Sequence, residues 1–259
     1  MRILGTAGAG LRAQQVGLDT VANNLANVNT PGYKAQTVNF EEALAQEIRP
    51  AKATMLNGAT TEEALSVGAG VIYSGVGTDF RQGTVTASDR ALDLAIEGEG
   101  FFQVRTTGNE LAYTRAGVFQ VDSAGKIGDS KGNLLEPPVT LGAGVTELSV
   151  SPEGVISGLQ GGQRNELGRI TLARFPNAEG LAQAGDNLFL ATAESGMAQT
   201  GEPGTGNLGV IRAQALEQSN VELATAMTDM LQAQRAYQVN ARLVQDGDKM
   251  WGLANSLRR

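Results

Sequence analysis

The sequence predicts an α+β protein: N- and C-terminal helices paired as a coiled-coil-like α domain, with a mainly antiparallel β middle domain. Three observations predict it. Seven-residue apolar repeats occupy both ends of the chain, apolar–polar alternation with a period of two fills the middle, and most of the 34 glycines among 259 residues fall in turns between the alternating runs. Heptad spacing marks a helix that packs on another helix, whereas alternation marks a strand with one face buried.

The first helix is carried by Leu4, Leu11, Leu18 and Leu25, with Ala7, Val21 and Val28 three residues further on in each heptad and Gln14 as the polar exception. It ends at Asn29-Thr30-Pro31-Gly32, where proline interrupts the backbone ladder and glycine accepts a left-handed turn. Residues 37–70 read as a connector: a short helical patch near Phe40–Ile48, then Pro50 and a Thr/Gly/Ala-rich run. Short strands follow at Phe101–Arg105, Val118–Val121, Leu148–Val150, Ile170–Phe175 and Leu188–Leu190, separated by turn chemistry at Asp122–Gly125, Ser130–Asn133, Pro152–Gly154 and Gly161-Gly162. The second helix is marked by Leu216, Leu223, Met230, Tyr237, Val244 and Trp251, flanked by Ala236, Leu243, Met250 and Leu257, with Ser219 or Asn220 as its cap and Gly247 as an internal weak point. The expected organisation is thus a helix over 1–36, the connector over 37–70, a β-rich domain over 71–215 and a helix over 216–259.

Composition removes several chemistries. With no histidine and no cysteine, the chain has no Ser-His-Asp triad, Cys-His pair, Cys/His zinc site or disulfide. The formal charge of −7 argues against a sequence-blind grip on nucleic acid or an anionic membrane, and no apolar run approaches the roughly 20 residues of a membrane span. Charge is also unevenly spread. Residues 1–36 hold three basic groups against one acid and residues 216–259 five against five, so the middle carries −9. Near-neutral helical ends can be crowded together while an acidic middle faces solvent.

Candidate sites for catalysis or ligands are weak. Gly204-Thr205-Gly206-Asn207-Leu208-Gly209 matches a dinucleotide fingerprint literally, but an extended segment, Val210-Ile211-Arg212, follows it where a helix is needed. Gly8-Ala9-Gly10 has no room for a preceding strand. Asp89, Asp93 and Glu97 alternate along DRALDLAIE and read as the solvated face of an edge strand rather than a catalytic cluster; Asp122 and Asp129 read as hairpin turns rather than Ca²⁺ ligands. No catalytic, cofactor or metal site is expected. Arg2 and Ala7-Gly8-Ala9 make only a faint signal-peptide pattern, too short and Gly-rich for cleavage.

The sharper anomaly is Asn23, Asn24, Asn27 and Asn29 at the end of the first helix, because asparagine is a poor helix former. Either this end is solvated and frayed, or the amides set register between packed helices as a polar core residue does in a coiled coil. The residues alone leave both open.

Ala22-Asn23-Asn24-Leu25-Ala26-Asn27 with Thr30-Pro31-Gly32-Tyr33-Lys34 resembles the N-terminal signature of the rod and hook proteins of the bacterial flagellum. Ser219-Asn220-Val221, Met230, Gln234-Arg235-Ala236-Tyr237 and Asn240 are similar to the C-terminal helix of that family, and Ala95–Phe102 and Tyr113–Gly117 to its middle. Length, the long Phe40–Phe80 segment and Arg81-Gln82-Gly83-Thr84-Val85 look most like the distal-rod branch, with proximal-rod and hook-type subunits as alternatives.

The resemblance implies a structural subunit and not an enzyme. Its terminal helices would pack with those of further copies into a hollow, helical, torque-transmitting shaft, with the β domain outside. It implies assembly roles for Leu11, Leu18, Asn23, Asn24, Leu25, Asn27, Thr30, Gly32 and Tyr33, and for Ser219, Asn220, Val221, Leu223, Met230, Gln234, Arg235, Tyr237 and Asn240. The implied partners are further copies, proximal-rod and hook-side axial proteins, the surrounding basal-body rings and the flagellar export apparatus, without nucleic acid or membrane insertion. The implied location is the periplasm-spanning rod, reached without a cleaved signal peptide. A β-rich binding module with helical oligomerisation ends, and a carboxylate enzyme on a β scaffold, are the rival classes.

Overall fold

The computed structural model describes residues 2–42, 46–49, 65–67, 70–142 and 144–256. The chain divides into two compact units: one from Met1–Leu25, Gln36–Gly77 and Leu223–Arg259, the other from Ala26–Ala35 and Thr78–Glu222. The chain crosses between the units at 25/26, 35/36, 77/78 and 222/223, and two short links within the second unit, 26–35 and 218–222, adjoin the ends of the long helices.

The first unit holds both long helices, α1 (Arg2–Ala26) and α2 (Leu223–Ser256). At about 1.5 Å per residue, α2 is about 50 Å long. The helices touch where the Asn240 amide stands over Gly10: a Cβ on Gly10 would lie 3.2 Å from Asn240 Nδ2. The same unit contains a ribbon in which Gln36–Glu42 pairs with Val71–Thr78, and an antiparallel pair, Gln46–Arg49 with Leu65–Val67. The helical patch expected near Phe40–Ile48 is thus extended on both sides of 43–45, which lie outside the described residues. The segment Gln36-Thr37-Val38-Asn39-Phe40 mixes β-branched and aromatic side chains with polar ones, and a paired strand decides what a short apolar run alone leaves ambiguous. The rest of the expected connector, 50–64 and 68–69, also lies outside the described residues.

The second unit is a β domain around a nine-stranded, antiparallel sheet. Its central strand, Phe101–Arg105, pairs with Leu111–Thr114 and Leu134–Leu135, and at its start with Leu172–Arg174. Both faces of this strand are covered. Phe102 and Val104 point into the main core with Leu94, Ile96, Phe119 and Ile170, while Phe101 points into a second cluster with Tyr113, Phe175 and Phe189. Phe102 meets Phe119 edge to face at 5.3 Å. Full burial of such a side chain contributes roughly 1.5–3 kcal/mol. A three-stranded meander, Thr146–Val150, Val155–Gln160 and Gln163–Arg169, adds Val150 and Ile156 to the core.

The expected strands recur, several of them shorter. Phe101–Arg105 and Leu188–Leu190 keep their bounds, Ile170–Phe175 contracts to Leu172–Arg174, and Val118–Val121 to Gln120–Val121. Asp122 and Asp129 serve turns: Oδ1 of Asp122 accepts the Ala124 and Lys126 N–H groups, and Oδ1 of Asp129 those of Lys131 and Asn133. The Gly204–Gly209 loop connects the strands Gln199–Gly201 and Val210–Ala213, so no helix opens on it.

The expected alternation over 89–97 fails. The strand is only Leu94–Glu97, paired with Val210–Ala213, and Leu94, Ala95 and Ile96 are all buried. Asp89 is exposed, Asp93 is buried with its Oδ2 accepting the Ser88 hydroxyl, and Glu97 pairs with Arg212 at 2.7 Å. The acids share no solvated face, because Leu94, Ala95 and Ile96 are covered on both sides of the strand.

Candidate assembly site

Two features stand apart from the β core: the apolar faces of the helices, and the polar junction formed by the two links.

On α1 the most buried side chains are Ala7, Ala13, Thr20 and Asn24. With Gly10 and Gly17 they form a stripe of small residues at three- and four-residue spacing. Leu11, Leu18 and Leu25 lie beside that stripe and are only half-buried. On α2 the most buried positions are again small, Ala226 and Gly247, while Met230, Ala233, Ala236, Asn240 and Val244 are half-buried. Large apolar side chains face solvent instead, among them Met227, Leu231, Val239, Leu243, Met250 and Trp251, each about half exposed. Water-facing apolar surface on this scale marks a contact still to be made.

The junction lies wholly within the β unit. Lys34 has a fully buried side chain, and its Nζ donates to Glu217 Oε1 (2.6 Å) and to the Arg81 carbonyl (2.7 Å). The Gly83 N–H donates to the same Glu217 oxygen (2.9 Å), and the Gly32 N–H to the Glu217 carbonyl (2.8 Å). Arg115, 5% exposed, brings Nη1 within 3.6 Å of Glu217 Oε2 and spends Nη2 on the Gly98 carbonyl (2.7 Å). Asn220 closes the other side. Its Oδ1 accepts the Ala35 N–H (2.7 Å), and its Nδ2 donates to the carbonyls of Asp79 (2.8 Å) and Arg81 (3.1 Å).

Electrostatics follow from this burial. Loss of water pushes the Lys34 ammonium and the Arg115 guanidinium below their usual pKa values, while the Glu217 carboxylate pulls both back up. Two buried cations are paired with one carboxylate, with Asp79 and Glu99 adding weaker attraction to Lys34 and Arg115, and the carbonyls of Arg81, Gly98 and Ile96 take further donors from the two side chains. Close packing completes it. Gly32 adopts φ +71°, and a Cβ there would lie 2.4 Å from the Ala116 nitrogen; one on Gly83 would lie 2.0 Å from the Gln218 carbonyl oxygen.

Comparison with known proteins places these segments. Residues 4–34 match the model described as "Flagella basal body rod protein", residues 95–158 "Flagellar hook protein FlgE/F/G D1 domain", and residues 212–257 "Flagellar basal body rod FlgEFG protein C-terminal". The chain is similar over its full length to proteins named flagellar basal-body rod protein FlgG. It is 37% identical to that of Caulobacter vibrioides across all of both chains, and 38% identical to that of Borreliella burgdorferi across all of this chain and 99% of the relative. The Bacillus subtilis protein of that name is 32% identical across all of both chains.

The chain belongs to the FlgG family of flagellar basal-body rod proteins.

It is therefore a structural subunit of the distal rod, as the resemblance of its terminal motifs and of its 40–80 segment implied. Each matched segment of this rod protein supplies one charge to the junction: Lys34 the first, Arg115 the second and Glu217 the third.

The sequence-expected assembly residues divide between the two features. Gly32, Tyr33 and Asn220 meet at the junction, with Thr30 in the turn before it, where its hydroxyl donates to Asn27 Oδ1 (3.2 Å). Ser219 Oγ accepts the Val221 N–H (3.2 Å), but α2 begins at Leu223, so neither Ser219 nor Asn220 abuts its first residue. Asn24 clips the start of the ribbon: Nδ2 donates to the Gln36 carbonyl and Oδ1 accepts the Gln36 N–H, both at 2.8 Å. Asn23 reaches Gln36 Oε1 at 3.4 Å. Leu223, Gln234, Arg235 and Tyr237 lie exposed on α2, with Met230 and Asn240 half-buried, and Leu11, Leu18 and Leu25 flank the small stripe of α1.

Sequence reasoning missed Glu217 as a site residue and used Lys34 and Arg115 only as parts of motifs. One signal was available: Glu217 follows Ala215 at strand spacing, which places an acid on the face that a buried alanine occupies.

Proposed function

We propose that this distal-rod subunit polymerises helically through its terminal helices into a hollow shaft that transmits torque, with the β domain outward. The observation that carries this reading is the exposed apolar surface of α2, where Met227, Leu231, Val239, Leu243, Met250 and Trp251 are each about half exposed. In this reading residues 1–36 and 216–259 form the assembly domain and pair in coiled-coil fashion along their small-residue stripes, which permit close backbone approach. The larger side chains beside those stripes, Leu11, Leu18 and Leu25 with Leu223, Met230 and Tyr237, then engage further copies. Residues 37–70 act as connector and 71–215 as outer domain. A head-to-tail contact that does not close into a ring generates a filament of this kind.

The partners are other copies, the proximal-rod and hook-side axial proteins, the surrounding rings and the export apparatus, which the chain uses without a cleaved signal. The role is mechanical, without catalysis. Electron microscopy of the purified protein over a concentration series tests the reading. Hollow helical polymers above a threshold concentration are the expected result; a closed oligomer of fixed size at all concentrations overturns it in favour of a binding module with oligomerisation ends.

A further inference from the structure

The two links that tie the β unit to the helices are unequally anchored. The C-terminal link follows a strand with its own ladder: Ala215, Leu216 and Glu217 pair with Ala87, Thr86 and Val85, and the Gln218 N–H donates to the Thr84 carbonyl (2.8 Å). The N-terminal link, Ala26–Ala35, has no such ladder. Three of its bonds instead end on residues at the C-terminal side: the Gly32 N–H on the Glu217 carbonyl, Lys34 Nζ on Glu217 Oε1, and the Ala35 N–H on Asn220 Oδ1.

Charge reinforces the asymmetry. Without Lys34, Glu217 still faces Arg115 and still accepts the Gly83 N–H. Without Glu217, the buried Lys34 and Arg115 lose the one carboxylate each is ion-paired with and keep only the weaker pull of Asp79 and Glu99, which is unfavourable.

We infer that the links dock in a fixed hierarchy: the Ala215–Asn220 segment builds a seat that carries the Glu217 carboxylate, and the 26–35 link docks only onto that completed seat. The first part of the chain to be made is then the last to be fixed on the β domain. Lys34 is the reporter of a finished C-terminal side, since Glu217 is the carboxylate with which its ammonium is directly paired, at 2.6 Å.

Amide hydrogen exchange of the full-length protein, kept dilute and monomeric, tests this apart from any polymerisation. In Glu217→Gln, the Ala35 and Asp79 amides, neither bonded to Glu217, are expected to exchange at least about tenfold faster, while the Phe101–Arg105 strand keeps its protection. In Lys34→Met, Gly32 and Ala35 open similarly, but Gly83 and Gln218 stay within about threefold of the parent. Equal opening of both links in Lys34→Met overturns the hierarchy, as does an unchanged Ala35 in Glu217→Gln. Should Glu217→Gln unfold throughout, Asn220→Ala removes the Ala35 acceptor without stranding a charge. Faster exchange at Gly32 with Gln218 still protected then supports the hierarchy, and an unchanged Gly32 refutes it.

Discussion

At the scale of single residues, two junction positions, Gly32 and Gly83, have no room for a side chain. Gly32 combines a left-handed φ of +71° with a backbone contact that leaves no room for Cβ. Gly32→Ala is therefore expected to destabilise the β unit by more than about 1 kcal/mol, read as a lowered midpoint of chemical denaturation. Asp79 offers a pH readout. Arg81 donates to it twice, from Nε to Oδ2 (2.7 Å) and from its backbone N–H to Oδ1 (2.9 Å), and these bonds hold the Asp79 carboxyl below its usual pKa. A depressed carboxyl contributes stability that is present above the unfolded value of about 3.9 and is lost as pH falls through the folded one. Arg81→Ala should return the Asp79 titration, followed by carboxyl NMR, towards that ordinary value; a titration that stays low in the variant contradicts the assignment. Gly32 was legible as a helix stop from its Pro-Gly context. The meeting of Glu217 with Lys34 and Arg115 was not, because strand spacing can hint that Glu217 faces inward but does not tell which distant residues it will meet.

At the scale of elements, periodicity identified both helices and most strands but did not show which helix face is buried within the subunit. The leucine heptads are the loudest pattern in α1, yet the buried stripe is Ala7, Ala13, Thr20 and Asn24, and the leucines flank it. A hydrophobic stripe read from one chain cannot distinguish a seam closed within the subunit from one reserved for a neighbour, since both are apolar at the same spacing. The Phe40–Ile48 segment failed differently: it is too short for periodicity to settle, and the strand state of its described parts depends on partners far along the chain, Val71–Thr78 for 40–42 and Leu65–Val67 for 46–48. Helix α2 also carries its own probe. Trp251 is the chain's single tryptophan and is 52% exposed. Its fluorescence is expected to shift to shorter wavelength when subunits assemble, because burial removes water from the indole. Emission that stays red in assembled material would place this end of α2 outside the contact.

For the whole molecule, the decisive quantity is how assembly responds to one charge on the exposed helical face. Leu223 opens α2 and is 45% exposed, and Leu18 is half-buried beside the small-residue stripe of α1. Neither belongs to the buried core of the β unit. Leu223→Asp should therefore leave the denaturation of the β unit unchanged while placing a carboxylate at every subunit contact of a polymer. A desolvated, unpaired charge costing about 3 kcal/mol per contact raises the threshold concentration for assembly by about a hundredfold, since each 1.4 kcal/mol is a factor of ten. Leu18→Asp probes the opposite chain end by the same logic. Sedimentation across a concentration series reads the threshold, and denaturation of the same samples reads the fold. Polymers forming at the parental threshold in both variants would remove the helices from the contact and leave the β unit as the assembling surface. A raised threshold with an unaltered β unit assigns assembly to the helical faces, and does so without depending on how the two links dock.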